Sequence, residues 1–408
     1  MLAETLNQPW MALGVQLIQA ALGPPGSDAL GGSSTRSCSI TTPTHSHKAW
    51  TYKGGHVIDI YPARALNNLQ SAFIPFHQMK NQSPPLIFCH YGLAQYLEIT
   101  LSHARKSNPL KQCILIGDEK NRQVAEAAGW DHIDLRDLNS QKRDEFNARF
   151  FWVQGPLHNP VKGGRDWLRF VSERFYALEV LLDSCGHVAC WFFDSDTLIL
   201  DNLDQYEAEF LAKKIDSTTQ CNGSCPSGLM TSRFVNMYCD SMIEDYKDIP
   251  FLQKQQLEFD ACSKSYAFTE MRAFERMTTK YQLRTDRLSW LYSPRGVWFD
   301  DCICQEHGLR MALNINLLKR IKDVHVFRGS LYCTHHDSTS YRMATINCSW
   351  IDVSTIQWLS DAVNFTDSNP TRLVRSLKIK PLLVIRSIIS RLFWSVRGLI
   401  SVFPKKPA

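Results

Sequence analysis

Two carboxylates lie two residues apart at the end of an apolar segment of the chain. Asp194 and Asp196 flank Ser195 and directly follow the apolar run 188–193. Burying charge without a partner is expensive, and two like charges this close raise each other's pKa. A hard divalent cation such as Mn²⁺ or Mg²⁺ offsets both effects, because it takes oxygen ligands and shares them with phosphate oxygens. The pair is therefore predicted to bind such a metal. The alternative is a surface turn with two solvated aspartates.

The segments around this pair alternate between strand and helix patterns. Apolar runs predict four strands, at 86–89, 113–116, 132–135 and 188–193. Three- and four-residue spacing of apolar side chains predicts three helices, at 93–104, 121–128 and 165–183. This alternation is typical of an α/β fold with a Rossmann-type, mainly parallel sheet and helices on both faces. Ligands bind at the carboxyl ends of the strands in such sheets, which is where Asp194 stands.

Composition and pattern divide the 408 residues into an N-terminal extension at 1–80, an α/β domain at 81–345 and a C-terminal extension at 346–408. Residues 1–22 have the spacing of a short amphipathic helix. The stretch 23–48 is rich in Gly, Pro, Ser, Thr and His, which predicts disorder. The chain shows no signal-peptide pattern and no apolar run of transmembrane length. The 13 cysteines of so long a chain are predicted to be reduced thiols in the cytoplasm.

The segment 374–403 has one apolar face and one face of arginines and serines. This pattern predicts an amphipathic helix that lies on an anionic membrane surface, which would place the protein peripherally on the inner face of a membrane. The alternative is a helix packed on the catalytic domain. The net charge of the whole chain is a mild +5 and gives no reason to expect nucleic acid as a partner.

The Asp-X-Asp segment and its context resemble the core of the GT-A glycosyltransferases. In that class a helix with an arginine precedes a strand that ends in Asp-X-Asp. Here the arginine is Arg174, within 172–175, and the Asp-X-Asp triplet lies within the segment 191–200. The resemblance covers about residues 84–340. It implies a metal-dependent glycosyltransferase of the hexosyltransferase type. The donor would be a nucleotide sugar, UDP-linked as in the metal-dependent class, and the acceptor a glycan or a lipid-linked molecule.

The same resemblance implies roles for individual residues. Asp194 and Asp196 would bind a metal–diphosphate unit, and Arg174 would contact the nucleotide sugar unless it is a plain surface charge of its helix. The remaining candidates for nucleotide-sugar binding are the loop after the first strand, Ser195 and a turn of small residues: His90, Tyr91, Gly92, Ser195, Asn222 and Gly223. The turn suits close approach of a sugar, although an ordinary turn would have the same composition.

Three later segments carry further candidates. Glu270 stands where related enzymes have an acidic residue near the acceptor or the sugar, so it is a candidate general base or hydroxyl binder, the alternative being a surface helix residue. His335 is the implied third metal ligand. His336 is an alternative, and Tyr332 competes for the same position. Asp300 and Asp301 also end an apolar run, where a turn is favoured over acceptor binding.

Two other functions fit parts of the same pattern. The segment 193–198 resembles the nucleophile motif of haloacid-dehalogenase-type phosphatases. However, Leu198 stands where that motif has Thr or Val, and three strand–helix units precede it. A non-catalytic sugar-nucleotide-binding protein would also keep the fold, although the intact carboxylate pair argues against it. A zinc site is disfavoured because the Cys302–Cys304 pair lacks the usual two-residue gap.

Overall fold

Buried strands form the centre of the structure. The structure is a computed structural model, and it describes residues 83–155, 164–262, 268–314, 319–363 and 371–372. The segments 1–22, 23–48 and 374–403, on which predictions were made above, lie outside the described residues. The strands are β1 (Leu86–Cys89), β2 (Cys113–Gly117), β3 (Asp131–Asp134), β4 (Ala189–Asp194), β5 (Thr197–Ile199), β6 (Ser217–Gln220), β7 (Cys225–Thr231), β8 (Thr285–Arg287), β9 (Val297–Phe299), β10 (Met311–Asn314), β11 (Lys319–Lys322), β12 (Val324–Phe327), β13 (Ser330–Thr334), β14 (Ser340–Asn347) and β15 (Thr371–Arg372). The helices are α1 (Leu97–Ser107), α2 (Glu119–Ala127), α3 (Gln141–Arg149), α4 (Arg165–Cys185), α5 (Asp204–Ala212), α6 (Ser232–Lys247), α7 (Ile249–Cys262), α8 (Glu270–Tyr281), α9 (Leu288–Tyr292) and α10 (Val353–Ala362).

The larger sheet has the strand order β3-β2-β1-β4-β7-β6-β8. Strands β1 to β4 are mutually parallel, and β6 is parallel to β8. Only β7 in this sheet runs antiparallel to its neighbours, β4 and β6. The sheet is therefore mixed but mostly parallel, and the carboxyl ends of β1, β2, β3 and β4 lie at one edge.

Both faces of this sheet are covered, which explains why its central strands are apolar without interruption. Alternate residues of a strand point to opposite faces. Phe192 of β4 packs in one cluster with residues of α4, α6 and α8. Trp191 and Phe193 pack in the other with residues of α1, α5 and α9.

Helix α4 follows the apolar spacing read from the sequence. Its buried residues include Leu168, Val171, Phe175 and Leu182, which recur at three- and four-residue steps. The helix ends at Gly186, whose φ of 68° is the left-handed conformation that favours glycine at a helix end. One face of the helix is thereby fixed against the sheet, and Arg174 is among its buried residues.

A second sheet has the order β15-β12-β13-β14-β5, with β9 pairing β14 in parallel. Strand β5 follows β4 after a two-residue turn and pairs β14 antiparallel, with Thr197 opposite Asn347. The two sheets are thus joined directly behind the Asp194–Asp196 segment. The sequence analysis did not predict this second sheet.

The predicted α/β fold with a mainly parallel sheet and helices on both faces is confirmed. The four predicted strands correspond to β1, β2, β3 and β4, and the three predicted helices to α1, α2 and α4. Among the described residues, the structure contains no helix with the length and apolar character needed to span a membrane. Strand β14 crosses the boundary predicted between residues 345 and 346.

Candidate functional site

The Asp-X-Asp segment lies at the carboxyl end of β4, beside the end of β1. Asp194 is paired in register with Cys89, the last residue of β1. The Asp194 side chain is 42% exposed, whereas Ser195 and the adjoining Thr197 are buried. One carboxylate of the pair is therefore open to a ligand, and the turn that follows it is packed into the protein.

The Asp196 carboxylate lies between the two sheets. Its Oδ2 accepts a hydrogen bond of 2.9 Å from Ser349 Oγ, and its backbone oxygen accepts one of 3.0 Å from the Cys348 amide. Its Oδ1 is buried and has no hydrogen-bond partner among the described residues. Burial, with a further contribution from the neighbouring Asp194 carboxylate, raises the pKa of Asp196 to about 6. A buried carboxylate with a free oxygen is the kind of group that a cation would stabilise.

Arg174 connects Asp194 to Glu270. Its Nη1 lies 2.6 Å from Asp194 Oδ1, and its Nη2 lies 3.5 Å from Glu270 Oε1. The guanidinium is buried, with its carbon 5.4 Å and 5.5 Å from the ring centres of Phe175 and Phe192. Arg174 is therefore not the surface charge considered above. It stabilises two carboxylates at the edge of the sheet.

Glu270 is the first residue of α8, and Thr269 caps that helix by accepting from the Met271 amide. The Glu270 side chain is 8% exposed, and its Oε2 has no hydrogen-bond partner among the described residues. Burial raises the pKa of Glu270 to about 7 against the opposing effect of Arg174, and Asp194 adds to the increase. The surface position considered as the alternative for Glu270 is wrong, because the side chain is buried beside Arg174.

The loop after β1 lies beside the Asp-X-Asp turn. His90 Nδ1 is 2.8 Å from Ser195 Oγ, and burial lowers the pKa of His90 to about 4, so the ring is neutral at pH 7. Tyr91 is 64% exposed and lies 6.2 Å from the Phe170 ring. The Gly92 amide donates to Asp118 Oδ2 at 3.0 Å, with a φ of 84° that favours glycine. This loop therefore presents an aromatic ring and holds Ser195 in place.

A cavity of about 1070 Å³ opens at this edge of the sheet. Of the predicted site residues, those that line it are His90, Tyr91, Arg174, Asp194, Ser195, Asp196 and Glu270. Its carboxylates are Asp118, Glu119, Asp134, Asp166, Glu173, Asp194, Asp196 and Glu270, and its cationic residues are Lys120, Arg136, Arg143, Arg169 and Arg174. Carboxylates outnumber cationic groups, so a ligand that carries phosphates would need a cation to accompany it.

Asn222 and Gly223 do not line this cavity. They belong to the 3₁₀ turn Cys221–Gly223, which connects β6 to β7. The Asn222 amide donates to Asp301 Oδ2 at 3.2 Å. The turn is thus held to the segment after β9, and the structure does not bring these two residues together with the other candidates.

His335 is not near the carboxylate pair, and the expectation that it completes a metal site with them is wrong. It follows β13, which pairs the first residues of β14, with Thr334 opposite Ser340, whereas Asn347 at the other end of β14 pairs the residue after Asp196. Seven residues of strand separate the two ends, roughly 20 Å. His335 Nδ1 instead lies 3.1 Å from Asp337. Among the described residues, no three His, Cys, Asp or Glu side chains are grouped so that they could hold a metal. The cysteines and histidine of the zinc site considered above therefore form no such group there.

The sequence analysis missed Ser349 and Trp350, both of which line the cavity. Ser349 reaches Asp196, and Trp350 is 62% exposed with a φ of 73°. Their position depends on the pairing of β14 with β5, which no local pattern in the sequence indicates. The local sequence offers little beyond a tryptophan three residues after the end of β14.

Asp300 and Asp301 lie at the bend that follows β9, ahead of a turn at residues 303–304, and both side chains are buried. Asp300 pairs with the buried Lys322, and Asp301 accepts from Arg287 Nε at 3.0 Å. Each carboxylate also has one buried oxygen without a partner among the described residues. Neither residue lines the cavity, so neither is placed to bind an acceptor there.

Comparison with known proteins gives little further information. No protein-family model matches the chain. No curated protein matches it. The solved structures that match include one described as PaToxG glycosyltransferase, with 10% sequence identity and a TM-score of 0.27, over 50% of this chain and 86% of that one. So low a similarity carries no conclusion about activity, which is argued below from the site.

Proposed function

We propose that this protein is a metal-dependent glycosyltransferase of the GT-A type, which transfers a sugar from a nucleotide-sugar donor. The observation that carries the proposal is the Asp194–Asp196 pair at the carboxyl edge of a mostly parallel sheet, inside a cavity of about 1070 Å³. Ligands bind at this edge in open α/β sheets. The volume lies near the upper end of the range for ligand pockets, so it has room for a donor of nucleotide-sugar size.

The residues present suit Mn²⁺ or Mg²⁺. Asp194 and Asp196 offer carboxylate oxygens, and Ser349 adds a hydroxyl at 2.9 Å from Asp196. Mg²⁺ is commonly held by one or two carboxylates together with substrate phosphates and water, so a third carboxylate or histidine is not required. Bound there, the metal would neutralise charge on the departing nucleoside diphosphate.

Arg174 and Glu270 would act beside the metal, on the donor sugar or on the attacking hydroxyl of the acceptor. Arg174 fixes the orientation of Asp194 through a 2.6 Å ion pair and balances the charge of Glu270. The free Oε2 of Glu270 can accept a hydrogen bond from a sugar hydroxyl, or take the proton of an attacking hydroxyl as a general base. Its pKa of about 7 suits either role near neutral pH.

The nucleotide would extend from the metal toward the end of β1. Tyr91 and Phe170 present rings in the cavity there, and aromatic faces stack on bases. His90 holds Ser195 through a 2.8 Å hydrogen bond and so positions the turn between the two aspartates. We propose a UDP-sugar as donor, by the resemblance to the metal-dependent class. The acceptor we propose is a glycan or a lipid-linked molecule.

The basic amphipathic segment 374–403 is proposed to bind an anionic membrane surface, where a lipid-linked acceptor would lie. We expect the full chain to float with phosphatidylserine-containing liposomes and a variant without residues 374–408 to float less. Flotation should fall for both proteins with neutral liposomes. Equal flotation of the two chains on anionic liposomes would contradict the proposed membrane contact.

The first test of the function is calorimetric titration of the protein with UDP. We expect binding with Mn²⁺ and no measurable binding with EDTA. Asp194→Asn and Asp196→Asn should each abolish metal-dependent binding, because each removes an anionic oxygen ligand of the metal. The matched control is Asp260→Asn, an exposed aspartate of α7.

The alternatives give different results in the same experiment. Folded protein that binds neither UDP nor GDP under any condition would contradict the proposal. If the protein then hydrolyses p-nitrophenyl phosphate, and Asp194→Asn does not, the result would support the alternative of a haloacid-dehalogenase-type phosphatase. Metal-independent binding of UDP that survives both substitutions would support a non-catalytic binding protein.

A further inference from the structure

An exposed tryptophan lines the candidate site on the side of the second sheet. Trp350 lines the cavity and is 62% exposed. It follows Ser349, whose hydroxyl lies 2.9 Å from Asp196 Oδ2. The rings of Tyr91 and Phe170, which we assigned to the nucleotide, belong instead to the loop after β1 and to α4. Trp350 therefore presents a second aromatic surface, next to the residue that holds the Asp196 carboxylate.

The backbone around Trp350 is fixed in an unusual conformation. Trp350 has a φ of 73°, in the left-handed region that a bulky side chain seldom adopts. On one side of it, the Ser349 amide donates to Asn347 Oδ1 at 3.0 Å. On the other side, the Ile351 amide donates to the Cys348 oxygen at 3.3 Å. A glycine would adopt this conformation without strain, and backbone strain is concentrated at active sites and ligand clamps. A tryptophan at such a position, with its ring mostly in solvent, indicates that the ring serves a ligand.

A sugar ring is the ligand that this surface fits. One face of a pyranose consists of C–H groups, and its hydroxyl groups lie around the edge. Such a ring can stack on an aromatic face and form hydrogen bonds at its rim. Tyr96 supplies a hydroxyl beside the same segment, since it lines the cavity and its Oη lies 3.4 Å from Ser195 Oγ. A phenol both donates and accepts hydrogen bonds, so it suits a sugar hydroxyl.

The charge of the cavity favours a neutral acceptor over a phosphate. Carboxylates outnumber cationic groups around it, and the metal proposed at Asp194 and Asp196 would already serve the diphosphate of the donor. A second phosphate, such as that of a lipid phosphate, would meet these carboxylates without a cation of its own. A neutral sugar carries no such cost. The nucleotide was assigned to the β1 end of the cavity, which leaves the Trp350 side for the acceptor.

We propose that Trp350 binds the acceptor, and that the acceptor is a neutral pyranose whose C–H face stacks on the indole ring. This inference rests on the proposed function, because it assigns the second substrate of the same site. Trp350 is then a specificity-determining residue, since a serine hydroxyl of a peptide has no ring face to stack on it. Its effect falls on the affinity for the acceptor and not on the affinity for UDP.

The first test is saturation-transfer difference NMR on the full-length chain with UDP and Mg²⁺, because Mn²⁺ would broaden the signals. The probes are the methyl pyranosides of glucose, galactose, mannose and N-acetylglucosamine, with octyl phosphate and a serine-containing peptide as the other acceptor classes. We expect at least one glycoside to bind. Trp350→Ala should weaken its binding by about tenfold, the effect of losing one stacked ring, and Trp350→Phe should recover most of the affinity. Trp290→Ala is the matched control, since Trp290 is 60% exposed but does not line the cavity.

Tryptophan fluorescence supplies a readout that a purely structural role would not change. Binding of the same glycoside should alter the emission of the unaltered chain and leave that of Trp350→Phe unchanged, although NMR shows that this variant still binds. Trp350→Gly removes the ring and relieves the left-handed strain. It should therefore unfold at a similar urea concentration to the unaltered chain and still lose the glycoside. A stable variant that does not bind separates recognition from folding.

Equal affinity of the unaltered chain and Trp350→Ala for the glycoside would overturn the inference. A chain that binds UDP with metal but none of the glycosides would also overturn it, and binding of octyl phosphate or the peptide would then identify the acceptor class. Either result leaves the glycosyltransferase proposal standing. Failure to bind UDP under any condition would contradict the proposed function itself, so the two failures are distinguishable.

Discussion

Ser349 is a small side chain with a defined position at the candidate metal site. Its hydroxyl donates to Asp196 Oδ2 at 2.9 Å and directs the other oxygen, Oδ1, toward a site with no partner among the described residues. Side chains that orient a metal ligand contribute to how tightly the metal is bound. Ser349 therefore orients the carboxylate, and it can also become a ligand.

We predict that Ser349→Ala lowers the affinity for Mn²⁺ by about 10- to 100-fold, the usual effect of removing a group that orients a ligand. The free energy of unfolding should fall by about 1–3 kcal/mol, because the buried Asp196 carboxylate loses its hydrogen bond from Ser349. The measurement is calorimetric titration of Mn²⁺ in the presence of UDP. Ser102→Ala, on the exposed face of α1, is the control. An unchanged Mn²⁺ affinity in Ser349→Ala would show that the hydroxyl has no part in the site.

The sequence revealed the part of the site that is local along the chain. Asp194 and Asp196 directly follow an apolar strand, so the strand pattern was enough to place them, whereas Arg174 on the preceding helix was singled out through the resemblance to the GT-A class. Ser349 is 153 residues from Asp196 and reaches it only through a strand pairing. His335 was misplaced for the same reason, since the register of β13 on β14 determines its distance and is not visible in the sequence.

At the scale of elements, the packing of β7 against its neighbours requires a glycine at position 228. Gly228 has a φ of 88°, and a Cβ there would come within 2.5 Å of Thr218 Oγ1 and 2.6 Å of a Leu288 methyl group. The strand is central in its sheet, between β4 and β6. A side chain at this position would combine backbone strain with a steric clash against two neighbouring elements.

Gly228→Ala should lower the free energy of unfolding by about 2–4 kcal/mol, from left-handed strain and overpacking together. Gly296→Ala is the matched control, since its φ is 71° but nothing lies within 4 Å of the added Cβ. Strain alone should cost about 1 kcal/mol there. Urea denaturation of the unaltered chain and of the two variants measures both losses in the free energy of unfolding. Equal losses in the two variants would mean that packing around Gly228 is not tight.

Elements were predictable where burial produces an apolar run. Strands β1, β2 and β4 were read correctly because both faces of each are covered. Strand β6 was missed, although all four of its residues are buried, because its sequence is Ser-Thr-Thr-Gln and its polar groups are satisfied by neighbours. Thr218 Oγ1, for example, donates to the Ser227 oxygen at 2.6 Å. Hydrophobic periodicity carries no signal for such a strand.

At the scale of the whole molecule, a buried ion pair helps to join the parts. Lys322 of β11 pairs with Asp300, which follows β9, and both side chains are fully buried. The Asp300 backbone oxygen accepts from Gln220 of β6 at 2.8 Å. The segment between β9 and β10 is thus fastened on one side to the larger sheet and on the other to the β10–β11 hairpin.

Lys322→Met should destabilise the fold by about 3–5 kcal/mol, because it leaves the Asp300 carboxylate buried without its cation. Lys213→Met is the control, since Lys213 pairs with Glu209 at 3.1 Å in a largely exposed position, and such pairs contribute about 0–1 kcal/mol. Thermal and urea unfolding provide the measurement. Recovery of most of the loss in the double variant Lys322→Met with Asp300→Asn would identify the unpaired charge as the cause. A loss below 1 kcal/mol would mean that Asp300 is neutral or hydrated in the fold.

The pairing of β5 with β14 has a consequence for synthesis on the ribosome. Residues 83–200 contain β1 to β4 and can form local contacts early, but the strand that pairs β5 among the described residues is formed by residues 340–347. Non-local pairing is slow, and an unpaired strand edge invites association between chains. A nascent chain cut short before residue 340 would therefore expose β5 and lack Ser349. The proposed metal site needs Ser349, so a cation that binds there would be acquired late and would favour the folded protein over its unfinished forms.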